Sequence, residues 1–473
     1  AGAITDSSIN SYTLDYNTEG YFGRAQYNYD NRYFASVSFR RDASSVFHPD
    51  HRWGNFWSFG AAWIISKESW FNAPWVDELK IKASYGEQGN DNIPFYLYTD
   101  RYSFQNNNGE IALVPSGTKG NETITWEKNA NFNAGVEFSL FKGRLMGSME
   151  YFIRRTTDML TAFQLPPSSG YTSTYDNTGN MQNQGVEVEL NGTVLRTKDF
   201  EWGLNLNFTA YKNEIAEINE ENKTETAPNG SRGYSGGQYF YGEGESMYTW
   251  YMHKFAGVDH ETGEALYYKR VSKAVVDENN NPVLDKNGEP KTEYVIETTK
   301  NVTEATKFLC GTALPWAYGG FGTTFAYKGF DLSLDFTYQL GGKVYDSEYA
   351  SSMAGSRGYA FHTDLINAWT PENVNSNIPK YEISDTNMAA ASDRFLTSAS
   401  YLCLQNVNFG YTLPKNLVAK AHLTNVRVYF SGSNLWLWSK RQGLDPRQSI
   451  TGATAAYTYS PMRTIQGGVT ISF

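Results

Sequence analysis

The chain has 473 residues, a formal net charge of −10 and 16 % aromatic residues, with 34 Tyr, 28 Phe and 12 Trp against 15 Pro. No stretch approaches the ~18 consecutive apolar residues of a membrane-spanning helix, which excludes a helical membrane protein. The 50 acidic against 40 basic residues argue against a nucleic-acid partner, because a phosphate backbone selects basic surfaces.

Aromatic and glycine richness, with 42 Gly, favours strands and tight turns. In chain order, apolar and polar residues alternate, the period of a strand with two unlike faces. The pattern runs near Gly20 to Tyr29, Leu79 to Tyr85, Phe132 to Leu140 and Val186 to Val194. It then sets Phe200, Trp202, Leu204, Leu206 and Phe208 against Glu201, Asn205, Asn207 and Thr209. Next, Phe330, Leu332, Leu334, Phe336, Tyr338 and Leu340 oppose Asp331, Ser333, Asp335, Thr337 and Gln339. Val407 to Leu413, Val426 to Phe430 and Ile465 to Phe473 close the series.

A soluble sandwich alternates too, and connection lengths separate the two readings. Short turns at Asp30-Asn31, Lys142-Gly143 and Lys328-Gly329 alternate with long polar segments at 43 to 54, 89 to 127, 158 to 183, 343 to 398 and 435 to 462. Short turns on one side and long loops on the other predict an all-β, antiparallel transmembrane β-barrel, with short turns periplasmic and long loops extracellular. Tyr27, Tyr29, Tyr33, Phe34, Tyr211, Tyr327 and Tyr338 suit interfacial girdles. The count is about thirteen strands, or fifteen if residues 214 to 313 hide a further pair. An odd number cannot close an antiparallel barrel. The expectation is therefore that residues 1–473 are the C-terminal part of one barrel domain, that Ala1 to Thr18 lie in an extracellular loop, and that the first strands and any leader precede them.

At this point the chain resembles the C-terminal half of SusC-like (RagA-like) TonB-dependent transporters of Bacteroidetes. The resemblance rests on Tyr21-Phe22-Gly23-Arg24, Arg40-Arg41-Asp42-Ala43-Ser44-Ser45, Trp53-Gly54-Asn55-Phe56, Ser84-Tyr85-Gly86 with Gly89-Asn90, and Trp126-Glu127-Lys128. It continues through Asn183-Gln184-Gly185-Val186-Glu187, Trp369-Thr370-Pro371-Glu372-Asn373 and Asp445-Pro446. Tyr401-Leu402 with Asn406, Gly410-Tyr411 and Leu413-Pro414 resembles the antepenultimate strand, with Cys403 where a basic residue is common. Terminal Phe473 resembles the aromatic signal read by the barrel-assembly machinery. The resemblance implies an outer-membrane barrel of twenty-two strands with an N-terminal plug, energised through TonB and working with a SusD-like surface lipoprotein. Its implied cargo is an oligosaccharide or a peptide, and its implied partners are the plug-bearing remainder and outer-membrane lipid.

For such a function, Tyr239, Tyr241, Trp250, Trp436 and Trp438 are the aromatics best placed to stack on substrate, although an aromatic near a strand end is more often an interface anchor. Acidic residues at lumen positions, among them Glu137, Glu187, Glu189, Asp331 and Asp335, either shape solute passage or simply sit in a water-filled interior. His48, Asp50 and His51 have metal-ligand chemistry but no evident third ligand. Asp277 to Gly288, with Asp285, Asn287 and Glu289, lacks the spacing of a calcium loop and reads as a solvated insertion. Cys310 and Cys403 match no metal or redox spacing and are expected unpaired. No cofactor or metal is expected. His48, His51, His253, His260, His362 and His422 fall in loops or turns without an obvious nucleophile, so no enzyme activity is expected. A passive porin is the alternative function.

Overall fold

A computed structural model describes residues 13–107, 109–279, 281–284, 286, 289–354, 360–383, 385–454 and 458–473. The chain divides into two compact units, residues 1–138 with 150–183, and residues 139–149 with 184–473. Among the described residues thirteen long strands carry the alternation. They are β1 (Thr18–Tyr29), β2 (Tyr33–Ser44), β3 (Trp53–Ile64), β4 (Val76–Asn90), β5 (Glu127–Leu140), β6 (Leu145–Thr157) and β7 (Asn180–Arg196). There follow β8 (Phe200–Glu217), β9 (Ala317–Tyr327), β10 (Phe330–Leu340), β11 (Tyr401–Thr412), β12 (Asn425–Ser439) and β13 (Thr464–Ser472). Among the described residues no helix is long and apolar enough to cross a membrane.

In the first unit β1 to β4 pair antiparallel with their sequence neighbours. The β1–β2 turn places Asp30 and Asn31 at φ 53° and 50°. Those angles match the right-handed twist of a hairpin, which is why residues tolerant of a left-handed backbone stand there. Beyond the strands, the connections fold on one another around Val46, Phe47, Phe56, Ile124 and Trp126. The Trp126 indole donates to the Arg52 carbonyl at 2.8 Å, and Asn177 holds Thr125 through both its backbone N–H and carbonyl.

In the second unit β8 to β13 pair antiparallel in chain order. The described residues of 214–313 add no strand to this series beyond the end of β8. Their short strands pair among themselves, in one sheet of five (Glu225–Thr226, Arg232–Gly236, Tyr239–Gly242, Thr249–His253, Lys307–Thr312) and one of three (Phe255–Val258, Ala265–Ala274, Thr292–Thr299). Among the described residues β1 hydrogen-bonds to β2 alone and β13 to β12 alone, so each has one ladder edge without a partner there.

Register confirms the two faces. Phe430 lies between Phe409 and Gly467, and Val428 between Tyr411 and Val469, while Ser431 opposes Gln466 and Arg427 opposes Thr470. Phe430→Arg is therefore expected to cost about 2–4 kcal/mol in a bilayer, against about zero for Gln466→Arg on the opposite face. Reversible unfolding in lipid vesicles checks this pair, and equal costs would show that the faces are misassigned.

Candidate functional site

The polar face is not a bare acidic lining. Glu137 accepts from Lys80 and Lys82, each at 2.9 Å, and Lys82 reaches Glu150 at 2.8 Å. Asp331 is clamped by Arg427, with Nε to Oδ1 at 3.1 Å and Nη2 to Oδ2 at 2.5 Å, across β11 between them. The bridge can cross because residue 410 is glycine: a Cβ there would stand 2.3 Å from the Arg427 guanidinium. Asp335 accepts from Ser333 at 3.4 Å, and Glu189 from Asn191 at 3.3 Å. The basic partners of Glu137 and Asp331 escaped sequence reasoning. Their signal was present, since Lys80 and Lys82 alternate with the apolar Leu79 and Ile81 as Glu137 does with Val136 and Phe138, but pairing across strands depends on register.

Of the five aromatics singled out, Tyr239 and Trp250 come together, their ring centroids 4.8 Å apart. Trp250 is 0 % exposed, packed with Met252, Cys310 and Ala313, and its indole donates to the Lys343 carbonyl at 3.1 Å. Tyr239 donates to the Thr451 carbonyl at 2.8 Å. Tyr241 stacks on Tyr234 at 5.1 Å. These rings hold a long connection onto the segments at 343–345 and 451. Trp436 and Trp438 are not in a loop: they lie within β12, opposite Leu404 and Leu402, and are 48 % and 57 % exposed. These indoles continue the row of Val428 and Phe430 on the apolar face, where an indole with one wet end suits the membrane interface.

Cys403 and Cys310 are free and buried, and burial pushes the Cys310 thiol up to about 11. Cys403 has a cation beside it after all. Arg447, one turn past Asp445-Pro446, brings Nη1 to 3.1 Å from the Cys403 Sγ and 3.1 Å from the Asn434 Oδ1. Its Nε and Nη2 grip Asp445 at 2.9 and 2.7 Å.

Above this region the loops enclose a polar cavity of about 310 Å³ lined by Asp346, Tyr349, Ser352, His362, Arg441 and Gln448. Arg441 lies 3.8 Å over the Tyr349 ring and 2.9 Å from Asp346, and the Tyr349 hydroxyl donates to Asp364 at 2.9 Å. Charges of both signs beside a ring and hydroxyls suit a hydrogen-bonding solute rather than an apolar one. Neither Tyr349 nor Arg441 stood out in the sequence, because they come from segments about ninety residues apart.

Behind the cavity runs a buried polar seam. Arg394 lies against the Phe255 and Phe395 rings, its guanidinium held below its ordinary pKa by desolvation. Asp393 accepts from the Phe255 N–H at 2.8 Å, with burial raising its carboxyl. Tyr267 donates to the Asn387 carbonyl, and burial pushes its hydroxyl up to about 12. His253 has a buried Nδ1 without a hydrogen-bond partner, and its pKa is lowered first by desolvation and then by the Lys307 charge. The folded state thus takes up the His253 proton less readily than the unfolded chain, so stability here falls as pH drops below about 6.5, the unfolded value. Amide protection factors over Thr249–His253 are expected to fall between pH 7 and 5.5, and His253→Leu to flatten that dependence.

His48 and Asp50 approach at 3.6 Å and the His48 and His51 rings at 6.4 Å, and no group of three metal-ligating side chains occurs among the described residues. Asp277 closes a turn by accepting from the Asn279 and Asn281 N–H groups, each at 2.9 Å. Asp285, Asn287 and Gly288 of the calcium-like segment, and Ala1 to Asn10 with Ser11 and Tyr12 of the first loop, lie outside the described residues. Phe473 ends the chain just past β13, with Thr424 donating to its carbonyl at 3.2 Å.

Residues 2–295 match the family described as TonB dependent receptor-like, beta-barrel. TonB-dependent receptor P26 of Formosa agariphila is 28 % identical over 486 residues, covering 99 % of this chain and 48 % of that protein. TonB-dependent receptor SusC of Bacteroides thetaiotaomicron is 27 % identical over 469 residues, covering 96 % of this chain and 43 % of that protein. A solved structure of the RagAB peptide transporter superposes with a TM-score of 0.81 at 28 % identity, covering 97 % of this chain and 48 % of the other. The chain thus spans about half the length of the relatives it matches. Strands with one apolar and one charge-paired polar face, joined by short turns and folded loops, together with these likenesses, place the chain in the outer membrane as a member of the TonB-dependent receptor-like β-barrel family, similar to SusC.

Proposed function

We propose that this chain is the C-terminal part of the barrel of an active outer-membrane importer, which takes up an oligosaccharide or a peptide and is not an enzyme. The observation that carries the reading is the likeness to the RagAB peptide transporter along 97 % of the chain. The open edges of β1 and β13 support it, since an unpaired ladder edge in hydrocarbon costs several kcal/mol per group and calls for further strands. In this reading the remaining strands of a twenty-two-stranded barrel and a plug belong to the same transporter. A SusD-like lipoprotein covers the long loops, and TonB pulls on the plug to release captured solute. The loop cavity around Tyr349 and Arg441 is the first candidate for solute contact, ahead of the packed Tyr239, Tyr241 and Trp250.

The test is uptake by intact cells of candidate oligosaccharides and peptides, with and without a protonophore, alongside mass spectrometry of chains that co-purify with the full-length protein. Energy-dependent uptake with a co-purifying lipoprotein supports the importer. Uptake that survives the protonophore, with no plug-bearing chain recovered, would establish a passive porin instead.

A further inference from the structure

On the apolar face of the second unit, Leu145, Leu190, Val194, Leu204, Leu206 and Phe321 line a groove of about 720 Å³. The groove exists because residue 192 is glycine. Its neighbours on that face of β7, Leu190 and Val194, carry branched side chains, whereas a Cβ at 192 would meet nothing nearer than the Arg144 carbonyl and the Leu145 Cδ1, both 3.8 Å away. The local backbone is secured by the Thr193 N–H donating to that same Arg144 carbonyl at 2.7 Å. The empty volume therefore comes from a missing side chain in an ordered ladder, not from loose pairing.

One end of the groove is basic. Arg144 lines it, at the exposed turn that also carries Lys142, and neither side chain has an acidic partner among the described residues. The other end lies further into the strands. Arg144 stands level with Thr193, whose N–H its carbonyl accepts, and the 197–200 turn sets Thr193 opposite Leu204, so Leu206 lies about two residues, ~7 Å at ~3.3 Å per residue, further along. An apolar trough that starts at unpaired cations has the polarity of the upper part of an acyl chain beneath a phosphate.

We propose that this groove is a binding site for one glycerophospholipid of the leaflet at the short-turn end, its acyl chain over Gly192 and its phosphate on Arg144 and Lys142. General solvation by lipid would leave a smooth apolar wall with no cation at one end of a groove. Here the notch and the charges coincide.

The test is native mass spectrometry of the full-length protein, extracted from outer membranes, delipidated by detergent exchange and titrated with phosphatidylglycerol or phosphatidylethanolamine. One phospholipid adduct is expected to survive activation. Gly192→Leu fills the groove without a steric clash and should lower adduct occupancy at least fivefold, and Arg144→Glu should weaken phosphatidylglycerol binding about tenfold. Gly467→Leu, on the same kind of face of β13 where a Cβ also meets nothing closer than 3.8 Å, should leave it unchanged. Heat-modifiable gel mobility verifies that each variant is folded, and Gly192→Ala serves if the leucine variant is not. Equal adducts in wild type and Gly192→Leu would overturn the site. A loss in Arg144→Glu alone would reduce it to headgroup adsorption and overturn it equally.

Discussion

Replacing Trp250 with alanine is expected to loosen the loop sheet of the second unit by about 3–5 kcal/mol, the usual cost of deleting a fully buried large aromatic. The indole is enclosed by Tyr239, Met252, Cys310 and Ala313, and it ties the 249–253 strand to the Lys343 carbonyl. Lys343 in turn donates to the Cys310 carbonyl at 2.5 Å, so one deletion releases both partners of the 249–253 and 307–312 pair. Amide protection should fall by a factor of a hundred or more across those two segments, while β9 to β13 keep theirs. Tyr239→Phe, which removes only the bond to Thr451, should cost about 1 kcal/mol. Unchanged protection in the Trp250 variant would mean that the loop sheet is held by something other than this cluster.

Asp445→Ala should be comparably damaging for a different reason. Asp445 is 2 % exposed and is the carboxylate that Arg447 grips. Without it the guanidinium keeps only neutral partners, Cys403, Gln405 and Asn434, and stranding a buried charge costs about 3–5 kcal/mol. The double replacement Asp445→Asn with Arg447→Met removes both charges and should recover most of that loss. Chemical denaturation of the refolded protein measures both variants. A double replacement as unstable as Asp445→Ala would show that shape, not charge pairing, holds this turn.

Much of the fold was legible because strand alternation and turn chemistry are local. Phe330 to Leu340 was bounded as observed, and Lys328-Gly329 adopts φ of 44° and 91°, the two positive values a two-residue hairpin requires. Other strands run further than their alternation suggests. Val426 to Phe430 is the visible third of Asn425–Ser439, since Gly432 and Asn434 interrupt the apolar row before it resumes at Trp436 and Trp438, and Leu435 and Leu437 put apolar residues in the other row. That is why two wall residues read as loop residues. The candidate cavity was hidden for a different reason. Tyr349 and Arg441 meet only after two long connections fold together, and no periodicity records such a meeting. The same applies to Arg447 beside Cys403, where the basic group expected within the strand arrives from a turn forty-four residues later.

The central claim is that alternate residues of the long strands face hydrocarbon and water. Site-directed spin labelling along Phe330 to Leu340, in native outer-membrane vesicles and with both cysteines replaced by alanine, tests it most directly. Oxygen accessibility should peak at 332, 334 and 336 and that of a water-soluble nickel chelate at 331, 333, 335 and 337, alternating with a period of two. Accessibility without that alternation, or the chelate reaching both sets equally, would contradict a transmembrane wall.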